Sequence, residues 1–216
     1  MNKLVYYGSE EIVENPSFGK GNPSNDYGLG FYVTEDKQAA KLWANKNGHS
    51  GFVNSYSFED EGLRKLILTN DTELDVLRWI TILVSHRFSF EDRERFANRI
   101  SVLEKNFGLS LKEYDYIEGY RADDNYFAYS RDFVAGALPF EILKKAMSLG
   151  RLGKQIALIS PKAFKAIHFK SSDPVEAGDS YERLKKETNA EYRLLKQEAN
   201  DNMRYIQDLL RTYTHD

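Results

Sequence analysis

The sequence contains no cysteine. Disulfide bonds, thiolate zinc sites and a cysteine nucleophile are therefore excluded, and the composition suits a reducing compartment. Long apolar runs are also missing, since none approaches the roughly 18 residues that a membrane-spanning helix needs. The apolar stretch at the N-terminus is too short for a signal peptide. We expect a cytoplasmic protein that makes no contact with a membrane.

A strong excess of charge is lacking as well. The 30 basic and 33 acidic residues give a net charge of −3, so the chain has no broad positive field for non-specific binding of nucleic acid. A nucleic-acid substrate held in a local pocket stays compatible with this balance. The histidines stand in no zinc-ligand or Gly-x-Ser-x-Gly context, and no Gly-x-x-x-x-Gly-Lys or Gly-x-Gly-x-x-Gly helix start is present. These absences argue against ordinary nucleotide hydrolases and Rossmann dehydrogenases, and we predict no metal site.

The residues that are present predict an α+β protein. With 216 residues, 41% of them hydrophobic, the chain suits one large domain or one domain with an appendage. Apolar periodicity predicts strands at 4–9, 31–34, 51–58, 66–69, 114–120, 155–160 and 166–169. It predicts helices at 37–46, 72–87, 91–107, 126–135 and 139–149, and a helical turn at 161–165. Residues 10–25 form a long loop, and loops of that length are often functional.

The C-terminal part has a different composition. Residues 179–213 contain neither glycine nor proline and predict one long helix. Its apolar residues recur at spacings of three and four: Tyr192, Leu195, Ala199, Met203, Ile206, Leu210 and Tyr213. Such a stripe packs on its own domain or binds a partner, and both alternatives stay open. We therefore divide the chain into a domain at 1–175 and a C-terminal helical extension at 176–216.

The stretch from Asp26 to Thr34 contains Gly28 and Gly30, followed at once by an aromatic and apolar run. Glycine tolerates positive φ and lets another backbone or a ligand approach closely. Phe31 to Thr34 then alternate as the two faces of a short strand do. Taken alone, the stretch indicates a loop that enters a core strand.

Two charged positions have more than one interpretation. Asp123 and Asp124 stand at a predicted strand end, where adjacent carboxylates bind a metal, position a ribose hydroxyl or orient an arginine, or else cap the next helix from a solvated turn. Arg87 ends a largely apolar helix, where it interacts favourably with the helix dipole or clamps a phosphate. The sequence leaves these alternatives open.

Several of these segments, in this order, resemble the ADP-ribosyltransferase superfamily, and more narrowly a bacterial family within it that has long lacked an assigned function. The resemblance covers about residues 4–170. The segments that carry it are Tyr6-Tyr7-Gly8-Ser9, Asp26-Tyr27-Gly28-x-Gly30-Phe31-Tyr32-x-Thr34, Gln38-Ala39, Trp43-Ala44, the helix ending near Arg87, Gly119-x-x-Ala122-Asp123-Asp124 and the strand led by Gln155.

The resemblance implies a fold of split antiparallel β-sheets that form an NAD cleft, here with a helical insertion and a long C-terminal helix. It implies an NAD-dependent ADP-ribosyltransferase, with NAD as substrate, that modifies a protein or a nucleic acid. Small bacterial relatives commonly act as toxins in toxin–antitoxin or phage-defence systems. An antitoxin or another partner protein would then bind through the C-terminal helix.

The resemblance also implies roles for individual residues. Tyr32 matches the tyrosine that stacks on the nicotinamide, whereas Tyr7 and Gln155 stand where the superfamily has histidine and glutamate. We expect Tyr32, Gln155 and Asp124 to be catalytic, Asp124 supplying the charge that Gln155 lacks. The expected NAD-binding residues are Tyr7, Gly8, Ser9, Asp26, Phe31, Thr34, Arg87 and Asp123.

The departures at Tyr7 and Gln155 favour an alternative. A carboxylate aimed at a developing cation accelerates a reaction by roughly 10²–10³-fold, on the scale of preorganised electrostatic groups, and Gln155 carries no charge. The chain would then be a catalytically weak or inactive module that binds a nucleotide or a partner. An NAD glycohydrolase on the same scaffold, which uses water as acceptor, is a third reading.

Overall fold

A computed structural model of the protein describes residues 2–122, 124–149 and 153–214. Within these ranges the strands form two sheets. The first is antiparallel, in the order β1 (Asn2–Ser9), β3 (Gly51–Glu59) and β7 (Ile167–Val175). The second has the order β2 (Phe31–Val33), β6 (Lys154–Leu158), β5 (Tyr116–Tyr120) and β4 (Lys65–Ile67). The α+β class predicted from the sequence is confirmed.

One strand pair departs from the expected antiparallel arrangement. β4 pairs with β5 in parallel, with Leu66 opposite Ile117, whereas the other pairs in this sheet are antiparallel. A parallel pair needs a long crossover connection. The helices α2 (Glu73–Arg87), α3 (Phe90–Arg95) and α4 (Ala97–Phe107) lie between β4 and β5 in the chain and provide it.

The two sheets meet where β1 runs beside β2. The backbones of Tyr6 and Thr34 exchange two hydrogen bonds, of 2.7 and 2.9 Å, which join the first sheet to the second. The helix α1 (Lys37–Ala44) follows β2 directly and is capped by Asp36, whose side chain accepts a hydrogen bond from the backbone of Gln38. This junction therefore brings β1, β2 and α1 together.

Two predicted helices are each divided in the structure. The region predicted as one helix at 91–107 is split at Phe96 into α3 and α4, after Ser89 has capped α3. The single long helix predicted at 179–213 is wrong, because α8 (Ser180–Lys196) and α9 (Ile206–Thr214) are separate. Asn200 in the connection accepts a hydrogen bond from the backbone of Asn202 through its side chain. Asparagine and aspartate compete for backbone groups in this way, which ends helices.

The apolar residues of α8 and α9 belong to the protein's own core. Tyr192, Leu195, Ile206 and Leu210 are buried in one apolar cluster with residues of α2 and α4, and of α5 (Asp124–Val134) and α6 (Phe140–Ala146). Of the two alternatives for the apolar stripe at 179–213, the structure has the one in which the stripe packs on its own chain. A smaller, aromatic-rich cluster lies around the strands and the short helix α7 (Pro161–Lys165).

Candidate functional site

A cavity of about 1200 Å³ opens beside the junction of the sheets. The strands β1, β2 and β6 and much of the loop at 10–25 border it. Among the residues predicted for the site, those that line the cavity are Tyr7, Gly8, Asp26, Phe31, Tyr32, Arg87 and Gln155. Residues that are far apart in the sequence are thus collected around one space.

The ring of Tyr32 is fixed by the turn that precedes it. The Tyr32 hydroxyl donates a hydrogen bond of 2.5 Å to the carbonyl of Gly28 and accepts one of 3.1 Å from the backbone of Tyr27. Gly28 has φ +77°, and a Cβ there would lie 2.7 Å from the ring of His86, so only glycine suits this turn. Burial raises the pKa of the Tyr32 hydroxyl, which keeps its proton and remains a donor.

Asp26 is the centre of a buried polar network. It is 6% exposed, and its carboxylate accepts hydrogen bonds of 2.7 Å from Arg87, 2.8 Å from the backbone of Ala122 and 2.8 Å from the Gln155 amide. Burial raises the pKa of Asp26, although the charge of Arg87 and the two other donors oppose that rise. The Asp26 carboxylate therefore orients the Gln155 side chain. It also places a negative charge next to the neutral glutamine.

Arg87 makes side-chain contacts that neither interpretation from the sequence includes. Its Nη1 bonds to Asp26 and to the carbonyl of Ala122, and its guanidinium lies 4.9 Å from the centre of the Phe127 ring. Arg87 is thus more than a charge at the end of a helix, because it joins α2 to Asp26 and Ala122. Its charge is offset by that carboxylate.

Tyr7 and Phe31 form the aromatic part of the wall. Their ring centres are 4.7 Å apart and the rings are tilted by 54°. Burial raises the pKa of the Tyr7 hydroxyl. Gly8, the next residue, lies so close to α1 that a Cβ would be 1.9 Å from the carbonyl oxygen of Ala40. This close approach explains the glycine and places β1 against the helix that carries Trp43.

Ser9 and Thr34 do not line the cavity but hold neighbouring backbone in place. Ser9 Oγ donates to the carbonyl of Glu11 at 2.7 Å, at the start of the long loop. Thr34 Oγ1 donates to the carbonyl of Lys154 at 3.1 Å and so joins β2 to the beginning of β6. Both hydroxyls support the walls rather than face the space.

The long loop is fastened to β3 by buried side chains. Asn54 accepts a hydrogen bond of 3.1 Å from the backbone of Val13, and the Tyr56 hydroxyl donates to the carbonyl of the same residue. Asn54 also donates to Ser9 Oγ at 2.9 Å. The loop wall of the cavity is therefore anchored at one point by side chains that are fully buried.

Two predicted site positions lie beyond what the structure describes. Asp123 is outside the described residues, and so is the side chain of Asp124, although its backbone begins α5. The hypothesis that Asp124 supplies charge to the site stays a prediction.

The cavity also contains residues that the sequence did not single out for the site. Trp43, Lys46 and Arg121 line it, and the Arg121 guanidinium lies 4.4 Å from the centre of the Trp43 ring. Trp43 lies in α1 and Arg121 follows the end of β5, so no local spacing relates them. Among the described residues, no group of three or more histidines or acidic side chains is placed to hold a metal ion. No helix in the same part of the chain is long and apolar enough to cross a membrane.

Comparison with protein families identifies one match, over residues 3–169, to the family described as Protein of unknown function (DUF3990). The match covers well over half of the 216 residues, and the chain belongs to this family. Neither the curated proteins nor the solved structures include a significant match to it.

Proposed function

We propose that this member of the DUF3990 family is an NAD-dependent ADP-ribosyltransferase that modifies a protein or a nucleic acid. The observation that supports this most is the convergence of Tyr7, Tyr32 and Gln155 around one cavity. They come from three strands, β1, β2 and β6, and they are the positions that resemble the superfamily's triad. The arrangement of two sheets that meet beside the cavity agrees with the proposal.

The size and chemistry of the cavity suit a dinucleotide. Its volume of about 1200 Å³ exceeds the usual range of roughly 300–1000 Å³ for small-molecule pockets. Aromatic rings from Tyr7, Phe31 and Tyr32 line the cavity and offer stacking surface. Aromatic faces suit the stacking of a nucleotide's rings.

Each residue has a distinct task in the proposed reaction. The bond between nicotinamide and its ribose breaks, an acceptor nucleophile bonds to the ribose carbon, and the acceptor loses a proton as nicotinamide leaves. Tyr32 would present a ring whose orientation is already fixed by its bonds to Gly28 and Tyr27. Gln155, held by Asp26, would bind a ribose hydroxyl. Asp26 would bring negative charge near the reacting carbon.

The contact between Asp26 and Arg87 favours a second candidate, a nucleotide-binding module with weak or no turnover. Paired charges at 2.7 Å produce a much smaller field at a distance than an isolated carboxylate does. The site would then stabilise a developing cation less than the superfamily's glutamate does. Toxin activity in a toxin–antitoxin or phage-defence system belongs to the first candidate, and its target stays open.

The test combines two measurements on the purified protein incubated with NAD and a bacterial lysate. Released nicotinamide is measured by chromatography, and ADP-ribose adducts on protein and nucleic acid are measured by mass spectrometry. The proposal predicts both, and it predicts that Gln155→Ala lowers the rate while Gln38→Ala, at an exposed glutamine of α1, does not. Nicotinamide release without adducts would indicate a glycohydrolase. NAD binding without turnover would indicate the binding module.

A further inference from the structure

We propose that Arg121, stacked on Trp43, is the residue that binds the phosphates of the cavity's ligand, with Lys46 as a second positive charge on the same wall. The ligand class is a nucleotide that carries a pyrophosphate. This inference deepens the proposed function and rests on it only for the identification of that nucleotide as NAD.

The first step concerns the other arginine of the cavity. The sequence offers Arg87 as a phosphate clamp, but its Nη1 is bound to Asp26 at 2.7 Å and to the carbonyl of Ala122. A phosphate that drew Arg87 away would leave the Asp26 carboxylate buried without its countercharge, which is costly. Arg87 is therefore a structural partner of Asp26 and is poorly suited to the phosphate.

The second step concerns Arg121 itself. Its guanidinium lies over the Trp43 ring, 4.4 Å from the ring centre, and its charge helps that of Arg87 to oppose the rise in the pKa of Asp26. Among the described residues no carboxylate lies within ion-pair distance of Arg121. Stacking holds the plane of the guanidinium while its edge donors remain available. The backbone of Arg121 donates to the carbonyl of Gly153 at 3.5 Å, next to β6. A planar fork of donors in a fixed plane matches the oxygens of a phosphate.

The third step concerns the charges around it. Lys46 lines the same cavity, and its ammonium lies 5.9 Å from the centre of the Tyr181 ring. The acidic groups of the cavity are Asp26, whose charge Arg87 and Arg121 oppose, and Glu11 and Glu14, which are exposed on the long loop together with Lys20. Exposed charges are strongly screened, and this applies to Lys46 as well as to the two glutamates. The half-buried Arg121 is therefore the charge that most favours an anion, and Lys46 adds a smaller contribution.

The experiment is a calorimetric titration with ADP-ribose and with NAD. It compares the wild type with Arg121→Gln, which removes the charge, and Arg121→Lys, which keeps the charge but loses the fork. The matched control is Arg95→Gln, since Arg95 is also stacked on a ring, that of Phe96, and does not line the cavity. Circular dichroism verifies that each variant is folded.

We expect Arg121→Gln to raise the Kd for both ligands about tenfold or more, which is about 1.4 kcal/mol per tenfold. Arg121→Lys should be intermediate, and Arg95→Gln should be unchanged. The loss of affinity with added salt should be shallower in Arg121→Gln. Unchanged affinity of Arg121→Gln for ADP-ribose would overturn the inference, and so would a wild type that binds neither ligand.

Failure of this inference is distinguishable from failure of the proposed function. Binding of ADP-ribose that depends on Arg121, without any consumption of NAD, would support the phosphate site and contradict the transferase. NAD consumption with an unchanged KM in Arg121→Gln would support the transferase and contradict the phosphate site.

Discussion

The helical side of the molecule and the junction of its sheets differ in the polarity of their buried side chains. The larger core, formed mainly by α2, α4, α5, α6, α8 and α9, is mostly apolar, and the buried polar side chains of the helical side are Thr81, Asp92, Ser130 and Thr188. At the junction, by contrast, the buried residues include Asp26, Thr34, Asn54 and Gln155. Burying polar groups is unfavourable unless they are hydrogen-bonded, and even then an apolar replacement is often at least as stable. The hydrogen-bonded polar residues at the junction agree with our proposal that this region binds a ligand, while the apolar helical side supplies most of the stability.

The largest expected effect comes from separating the buried pair at the junction. Arg87→Met leaves the Asp26 carboxylate buried without its countercharge, so the free energy of unfolding should fall by about 3–5 kcal/mol. Arg183→Met is the matched control, because its pair with Asp179 is exposed and should be worth less than about 1 kcal/mol. Urea denaturation measures both.

Adding Asp26→Asn to Arg87→Met sharpens this test. The neutral amide removes the unpaired charge, so part of the lost stability should return. Equal costs for Arg87→Met and Arg183→Met would contradict the account of the junction.

A deletion in the helical core should separate stability from binding. Leu83→Ala removes a fully buried side chain of α2 and should lower the free energy of unfolding by about 2–5 kcal/mol. Its affinity for NAD, measured by calorimetry at a temperature where the variant is folded, should match the wild type. A large loss of affinity in the folded variant would show that the two regions are not independent.

A smaller effect is expected at Tyr32. Tyr32→Phe keeps the ring but removes the hydroxyl that bonds to Gly28 and Tyr27, so it should cost about 1 kcal/mol of stability. NAD affinity should fall less than in Tyr32→Ala, which removes the stacking surface. If both variants lost NAD affinity to the same extent, the ring would not be the binding element.

The smallest effect concerns His86, which lies against Gly28 in the turn that precedes Tyr32. Burial lowers the pKa of His86 below its ordinary value of 6.5. As the pH falls below about 6.5 the unfolded chain takes up a proton that the folded protein does not, so the free energy of unfolding declines. His86→Gln should make that decline shallower, whereas His168→Gln, at an exposed histidine, should not. Denaturation at pH 5 to 7 provides the comparison, and identical slopes for both variants would contradict it.

Local patterns predicted local structure well. The alternation at 31–34 predicted β2, and the apolar periodicity at 37–46 predicted α1, because both depend on neighbouring residues. The interruptions near Phe96 and Asn200 were missed. The helical spacing of apolar residues continues through both positions, although the helical backbone is interrupted there. The parallel pairing of β4 was missed because strand direction depends on the path of the whole chain.

In the candidate site, too, the sequence predicted individual residues but not their long-range contacts. The resemblance named Asp26, Arg87 and Gln155 as separate candidates, but their hydrogen bonds span 61 and 129 residues of sequence. Periodicity has no information at that range, so the neutralisation of Arg87 could not be foreseen. The stacking of Arg121 on Trp43 was missed for the same reason.

A crystal structure of the protein soaked with NAD tests the central claim most directly. The account predicts the nicotinamide against the ring of Tyr32 and the Gln155 amide within hydrogen-bond distance of the adjoining ribose. NAD bound outside the cavity, or a cavity that stays empty at saturating NAD, would contradict it.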